Sequence, residues 1–80
     1  MDDYATRNLA EASYLQAKGQ KIIGKRKEGD KVMILFPGTQ KTHDLVMEYY
    51  NGGTVEAKLL FDNFRSIKDF IFMRVLSQNE

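Results

Sequence analysis

The sequence contains no cysteine among its 80 residues, and it contains a single histidine. Without cysteine the chain can have neither a disulfide framework nor a thiolate metal site. Its longest apolar runs, residues 32–36 and 70–73, are far shorter than the roughly 20 residues of a membrane-spanning helix. The opening Met1-Asp2-Asp3 carries acids where a secretory signal carries basic residues. We therefore expect a cytoplasmic protein that does not associate with a membrane.

Residues that carry catalysis or bind metals are also scarce. The single histidine, His43, has no second histidine or cysteine to act with, and the acidic residues are scattered along the chain. The Gly52-Gly53 pair lacks the lysine and the strand–loop–helix setting of a phosphate-binding loop. The serines have no base at a recognisable spacing. We therefore expect a protein that is not an enzyme and that uses no cofactor, metal or small-molecule substrate.

The longest apolar stripe lies near the C-terminus, where residues 56–76 are predicted to form a helix. Its apolar members fall within an arc of about 120° at helical spacing. They are Leu60, Phe61, Phe64, Ile67, Ile71 and Val75. We expect this helix to be the core of one domain over residues 1–80, with residues 1–5 a loose lead-in and residues 77–80 frayed. Lys68 falls inside the stripe, so its ammonium is expected either to reach water or to pair with a carboxylate of another element.

A shorter helix is predicted on the N-terminal side. Thr6 and Asn8 both suit its N-cap, and Asn8 with Glu11 three residues later resembles a capping box. Gly19 ends the helix. Because its small apolar face is rich in alanine, we expect this helix to dock against the fold rather than to form its core. Another short helix is predicted over residues 42–51.

Residues 20–27 and 31–36 are predicted to pair as a β-hairpin. A loop of two residues would put Ile23 opposite Ile34, and a loop of three residues would put Ile22 opposite Phe36. In either register the core-facing residues of the second strand are Val32, Ile34 and Phe36. Its far side is then covered either by the first helix or by a second chain. The predicted fold class is α+β, in the order helix-strand-strand-helix-helix, with the hairpin packed on the long C-terminal helix.

The basic residues concentrate in the predicted hairpin, although the net charge is only +1. Residues 18–31 contain six basic and two acidic residues. A two-stranded ribbon fits the DNA major groove, and lysines on it would neutralise phosphates. The candidate nucleic-acid-binding residues are Lys21, Lys25, Arg26, Lys27 and Lys31. The alternative is that these residues protect the strand edges from edge-to-edge aggregation.

A few apolar residues fall off the predicted core faces and suggest a protein interface. The candidates are Met33, Leu35, Leu59, Phe70 and Met73. Exposed together they would form an apolar patch, which typically marks an interaction surface. The alternative is that a small fold wraps its longest helix on two sides. We expect a protein partner or self-association, with a homodimer favoured.

A pattern of residues also runs through most of the chain. Its members are Tyr4, Thr6, Asn8, Ala12, Leu15, Gly19, Phe36, Tyr50, Asn51, Gly52, Val55, Phe61, Ile67 and Lys68. The pattern resembles a family of short uncharacterised domains that phage, prophage and bacterial genomes encode. Its members usually show Tyr-x-Thr-x-Asp near the start, where this chain has Asn8, and Gly53 is an extra residue before Val55. The family has no established activity, so the resemblance implies a bacterial or mobile-element setting and no mechanism.

Together these features predict a small interaction protein that acts by binding a protein of the host cell, in the host cytoplasm if a phage encodes it. The alternative is a nucleic-acid-binding accessory protein that uses the basic hairpin.

Overall fold

A computed structural model describes the backbone of residues 3–78 and the side chains of residues 3–71. The elements within this part of the chain are, in order, β1 (Asp3–Thr6), α1 (Leu9–Ala17), β2 (Gly24–Glu28), β3 (Lys31–Pro37), α2 (Gln40–Tyr50) and α3 (Ala57–Gln78). The predicted α+β class and the packing of the hairpin on the C-terminal helix are confirmed. Over the same residues, none of the helices combines the length and the apolar character that crossing a membrane requires.

The strands form an antiparallel sheet with the order β1-β3-β2, so β3 is the interior strand that its apolar sequence predicts. β2 and β3 are joined by a two-residue turn that places Glu28 opposite Lys31. Gly29 takes a φ of 64° at the first central position, which fits a type II′ turn. The predicted loop length of two residues is therefore correct, but both predicted registers are wrong, because the loop is Gly29-Asp30 and Lys25 rather than Ile23 lies opposite Ile34. Across the sheet, Lys25 lies opposite Ile34, and Tyr4 of β1 lies opposite Phe36.

The expected loose lead-in over residues 1–5 is wrong for residues 3–5, which belong to β1. A four-residue strand is too short to show a periodic pattern, and its stability comes from pairing with β3 about 30 residues further along the chain. Residues 1–2 lie outside the described part of the chain. At the other end, residues 77–78 continue α3, and the frayed end predicted for residues 79–80 lies outside the described residues.

The core lies between the sheet and the three helices, and α1 is its central helix. The fully buried apolar cluster consists of Ala12, Leu15, Ile34, Phe36 and Ile67. Every residue of α1 from Glu11 to Leu15 is buried. The prediction that α1 only docks is therefore wrong. The C-terminal helix contributes Ile67 to the cluster, and Phe70 and Ile71 pack against it, but it is not the central helix that the sequence predicts.

The reason for this reversal is position rather than apolar area. The alanines of α1 let its backbone lie close to α3 on one side, while Leu15 reaches the sheet cluster on the other. Among residues 57–71 of α3, only Ile67 is buried, and Phe61 is 66% exposed. Lys68 is exposed as well, so its ammonium reaches water. Val75 lies outside the residues whose side chains are described.

Candidate functional site

Among the residues whose side chains are described, the helices pack on one face of the sheet. The residues that pack around the buried cluster come from all three helices and include Leu9, Leu45, Val46, Phe70 and Ile71. Ile34 and Phe36 are the residues of the sheet in that cluster, and both lie on the same face of β3. Met33 and Leu35 point to the opposite side, are half-buried, and take no part in the core cluster of the described residues. Within the part of the chain that the structure describes, the sheet is therefore covered on one side and open on the other.

We call this second side the open face. Strand pairing places on it Asp3, Ala5, Gly24, Arg26, Glu28, Lys31, Met33, Leu35 and Pro37. Leu35 lies between two small residues, because Ala5 is its partner on β1 and Gly24 is its partner on β2. Small neighbours on both sides leave the Leu35 side chain accessible from above the sheet.

A cleft of about 380 Å³ indents the open face beside Met33. The basic residues Arg7 and Lys31 line it, together with Glu28 and Ala5. The Arg26 guanidinium binds the Glu28 carboxylate, with 2.8 Å between Nε and Oε2, and both side chains are about half exposed. The apolar centre of the open face is thus surrounded by three basic residues, and Asp3 and Glu28 are the acids on the same side.

The basic residues predicted to bind nucleic acid do not share one surface. Lys25 and Lys27 alternate with Arg26 along β2, so they project to the helix side of the sheet while Arg26 and Lys31 project to the open face. The Lys25 ammonium donates hydrogen bonds to the backbone carbonyls of Phe70 and Ile71 in α3. It also lies 4.2 Å from the centroid of the Phe70 ring.

Lys25 therefore joins the hairpin to α3, which is a structural contact. Lys21, Lys27 and Lys31 are exposed.

The residues predicted to form a protein interface are also divided. Met33 and Leu35 both lie on the open face. Phe70 is half-buried and packs against the core cluster, whereas Leu59, near the start of α3, is 40% exposed. Met73 lies outside the residues whose side chains are described. Only the first two therefore form a common surface.

The Tyr-x-Thr-x-Asn motif connects β1 to α1. The Thr6 hydroxyl oxygen accepts a hydrogen bond from the Asn8 backbone N–H (3.1 Å), and the Asn8 side-chain oxygen accepts one from the Glu11 N–H (3.1 Å). The Tyr4 hydroxyl donates to the Glu11 carboxylate at 2.9 Å. The predicted capping box forms only in its first half, because Thr6 occupies the Asn8 N–H that Glu11 would otherwise reach.

This motif buries a carboxylate at the start of α1. Glu11 is 1% exposed, and its second oxygen, Oε2, has no hydrogen-bond partner among the described residues. Burial, together with the hydrogen bond to Glu11, raises the pKa of Tyr4. The interaction with the Glu11 carboxylate also raises the pKa of Tyr50. His43 is exposed and touches the Tyr4 ring edge-on, with 5.9 Å between the ring centroids.

Sequence reasoning missed the contact between Tyr4 and Glu11. The two residues are seven apart, and the contact needs β1 to be folded against β3 before it can form. The spacing of Tyr4, Thr6 and Asn8 is the signal that could have revealed it, since alternate residues of a strand face the same side.

Comparison with known proteins gives one family. The model of the family described as Domain of unknown function (DUF5659) matches residues 1–73 of the chain. No curated protein and no solved structure matches the chain. The resemblance to a family of uncharacterised domains is confirmed, and the phage or prophage setting stays a prediction.

Proposed function

The chain belongs to the DUF5659 family of domains of unknown function, and we propose that it is a non-enzymatic module. In this proposal it binds a protein through its open face. The one-sided packing of the sheet carries this proposal. An antiparallel sheet with one face solvated normally places polar residues on that face. Here Met33 and Leu35 occupy its centre instead. An apolar centre within a polar rim is the usual arrangement of a protein interface.

The charge of the rim indicates the chemistry of the partner. Arg7, Arg26 and Lys31 surround the apolar centre, against the acids Asp3 and Glu28. In a symmetric dimer the same surface meets itself, so this surplus of positive charge would face its own copy. We therefore propose a separate protein partner that presents an apolar side chain flanked by acidic residues. The homodimer expected from the sequence stays a prediction that the experiment below also tests.

Nucleic-acid binding by the hairpin has less support. A groove-binding ribbon needs its basic residues on one surface, whereas β2 divides them between two. The open face also carries Met33, Leu35 and Ala5 at its centre rather than the aromatic residues on which single-stranded bases stack.

A peptide-display selection on the purified domain tests the proposal. Peptides from a random library are selected on the wild-type domain and then measured against Met33→Asp and against Met47→Asp. Met47 is a matched control, because it is a methionine that is 61% exposed and belongs to α2 rather than to the strands of the open face. We expect the selected peptides to combine apolar and acidic residues and to bind Met33→Asp at least tenfold more weakly. Binding to Met47→Asp should be unchanged, and binding to the wild type should weaken as salt rises.

The proposal would be contradicted by peptides that bind Met33→Asp as tightly as the wild type. Arg26→Glu provides a second variant of the open face in case Met33→Asp does not fold, and circular dichroism checks the fold of each. Sedimentation at high protein concentration should show a monomer. A dimer that Met33→Asp dissociates would assign the open face to self-association and would make the separate partner wrong. The resemblance to a family found in phage, prophage and bacterial genomes suggests that this partner is a protein of the host cell.

A further inference from the structure

A second cleft lies where α1 and α3 meet the residues that lead into β2. Its volume is about 310 Å³, and its walls include Gln16, Ile22, Ile23, Ser66, Ile67 and Phe70. Met33 and Leu35 do not line it, so it is distinct from the apolar centre of the open face. Ile23 at its edge is 52% exposed, so it adds an accessible apolar side chain to the rim of the cleft. The volume is near the lower end of the roughly 300–1,000 Å³ range of small-molecule sites, which suits one aromatic ring system.

One polar group of this cleft lacks a partner. The Gln16 side-chain oxygen Oε1 is inaccessible to solvent and makes no hydrogen bond with any described residue. Native proteins rarely leave a buried acceptor unpaired, and each case calls for an explanation. Since Gln16 lines the cleft, and the last torsion of a glutamine is soft, a small rotation can turn its amide oxygen toward a group that enters.

We propose that this cleft binds an indole ring, with the indole N–H donating to Gln16 and the ring packing between Ile22, Ile67 and Phe70. Apolar side chains line the cleft on both the hairpin side and the α3 side, and the unpaired group on α1 is an acceptor. The indole side chain is a hydrogen-bond donor only, so it supplies the missing partner without bringing an acceptor of its own into an apolar site. A phenyl ring would fill the space and leave Gln16 unpaired.

The test compares two ligands that differ in one donor. Indole and 1-methylindole are titrated into the isotopically labelled domain, and the methyl resonances of Ile22 and Ile67 are followed by NMR. We expect saturable shifts at both residues and about fivefold weaker binding of 1-methylindole, the factor that corresponds to about 1 kcal/mol for one net hydrogen bond. Gln16→Met should bind the two ligands equally. Gln40→Met, a matched control at an exposed glutamine of α2, should keep the difference.

Two results would overturn this inference: no saturable shift at Ile22 and Ile67, or equal affinities of the wild type for indole and 1-methylindole. The second comparison needs no variant, so it stands even where Gln16→Met does not fold. N-acetyl-tryptophanamide distinguishes the source of the ring. Binding at least as tight as that of indole would assign the cleft to a tryptophan side chain of a protein. Binding tenfold weaker would assign it to a free small molecule.

Discussion

Gly53 is the position where one added methyl group should have the largest effect. A Cβ at this residue would overlap the hydroxyl oxygen of Tyr14, and it would lie 2.7 Å from Cγ and 2.8 Å from the carbonyl oxygen of Glu48. Tyr14 is 2% exposed, so its ring has no room to move away. The Gly53 N–H also donates to the Glu48 carbonyl at 2.8 Å, which holds the loop close to α2. Gly53→Ala must therefore separate α1 from the end of α2.

The cost of this substitution has two parts. Overpacking of a closed site costs about 1–3 kcal/mol. The displaced hydroxyl also donates to the Glu48 carboxylate at 2.6 Å, and a hydrogen bond to a charged group contributes about 1.5–3 kcal/mol. Because the Glu48 side chain is 48% exposed, the lower end applies to this bond. We expect Gly53→Ala to lower the free energy of unfolding by about 3 kcal/mol, and to lower Tm by roughly 15 °C in a domain of this size.

Urea denaturation of matched variants measures this loss. Gly24→Ala is the control, since a Cβ there meets only Leu35 Cδ1 at 3.8 Å, and its expected effect is under about 0.5 kcal/mol. In a Tyr14→Phe background, Gly53→Ala should cost at least about 1 kcal/mol less, because the overlapping oxygen is gone. A Gly53→Ala variant as stable as Gly24→Ala would contradict the predicted overlap at Gly53. So would an equal loss of unfolding free energy on Gly53→Ala in the wild-type and Tyr14→Phe backgrounds.

Three further perturbations test the packing. Leu15→Ala, at a side chain with no exposed surface, should lower the free energy of unfolding in urea by about 2–5 kcal/mol, whereas Phe61→Ala should lower it by less than about 1 kcal/mol. The reverse order would indicate that α3 is the central helix of the core. Lys25→Gln should lower the melting temperature more than Lys27→Gln, because the Lys25 ammonium donates hydrogen bonds to two backbone carbonyls of α3, whereas Lys27 is exposed. Equal effects of the two substitutions would contradict that contact in solution. Burial and the hydrogen bond to Glu48 raise the pKa of Tyr14 from 10 to about 12, so above pH 10 the unfolded chain loses this proton first and the free energy of unfolding falls. The free energy of unfolding of Tyr14→Phe should fall less steeply with pH, and parallel profiles of the two proteins would contradict the raised pKa.

Local signals in the sequence predict much of the fold. Asn8 and Thr39 cap α1 and α2 through their own side chains, as residues of these types do in most proteins. The alternation of Val32, Ile34 and Phe36 gives the core face of β3 correctly, because side chains alternate along any strand. These features depend on residues close together in the chain, so no knowledge of the tertiary structure is needed.

Features that depend on tertiary contacts were not predictable in the same way. β1 is recognisable only once β3 offers it an edge, and the burial of α1 follows from its position between α3 and the sheet rather than from its own apolar content. For the candidate site, the sequence identified Met33 and Leu35 but joined them to Phe70, which packs against the core cluster. Consecutive residues of a strand face opposite sides of the sheet, so the sequence already implied that Arg26 faces away from Lys25 and Lys27. The predicted nucleic-acid-binding surface nevertheless combined all three residues.

The central claim is that the sheet is covered on one face only. It is tested most directly by measuring how strongly a soluble gadolinium chelate relaxes the methyl groups on each face. Paramagnetic relaxation of the Met33 and Leu35 methyl groups should be strong, because these half-buried side chains lie on the open face. The methyl groups of Ile34 and Leu15, which have no exposed surface, should be protected. Equal protection of Met33 and Ile34 in the isolated domain would contradict the one-sided packing and the binding surface proposed on it.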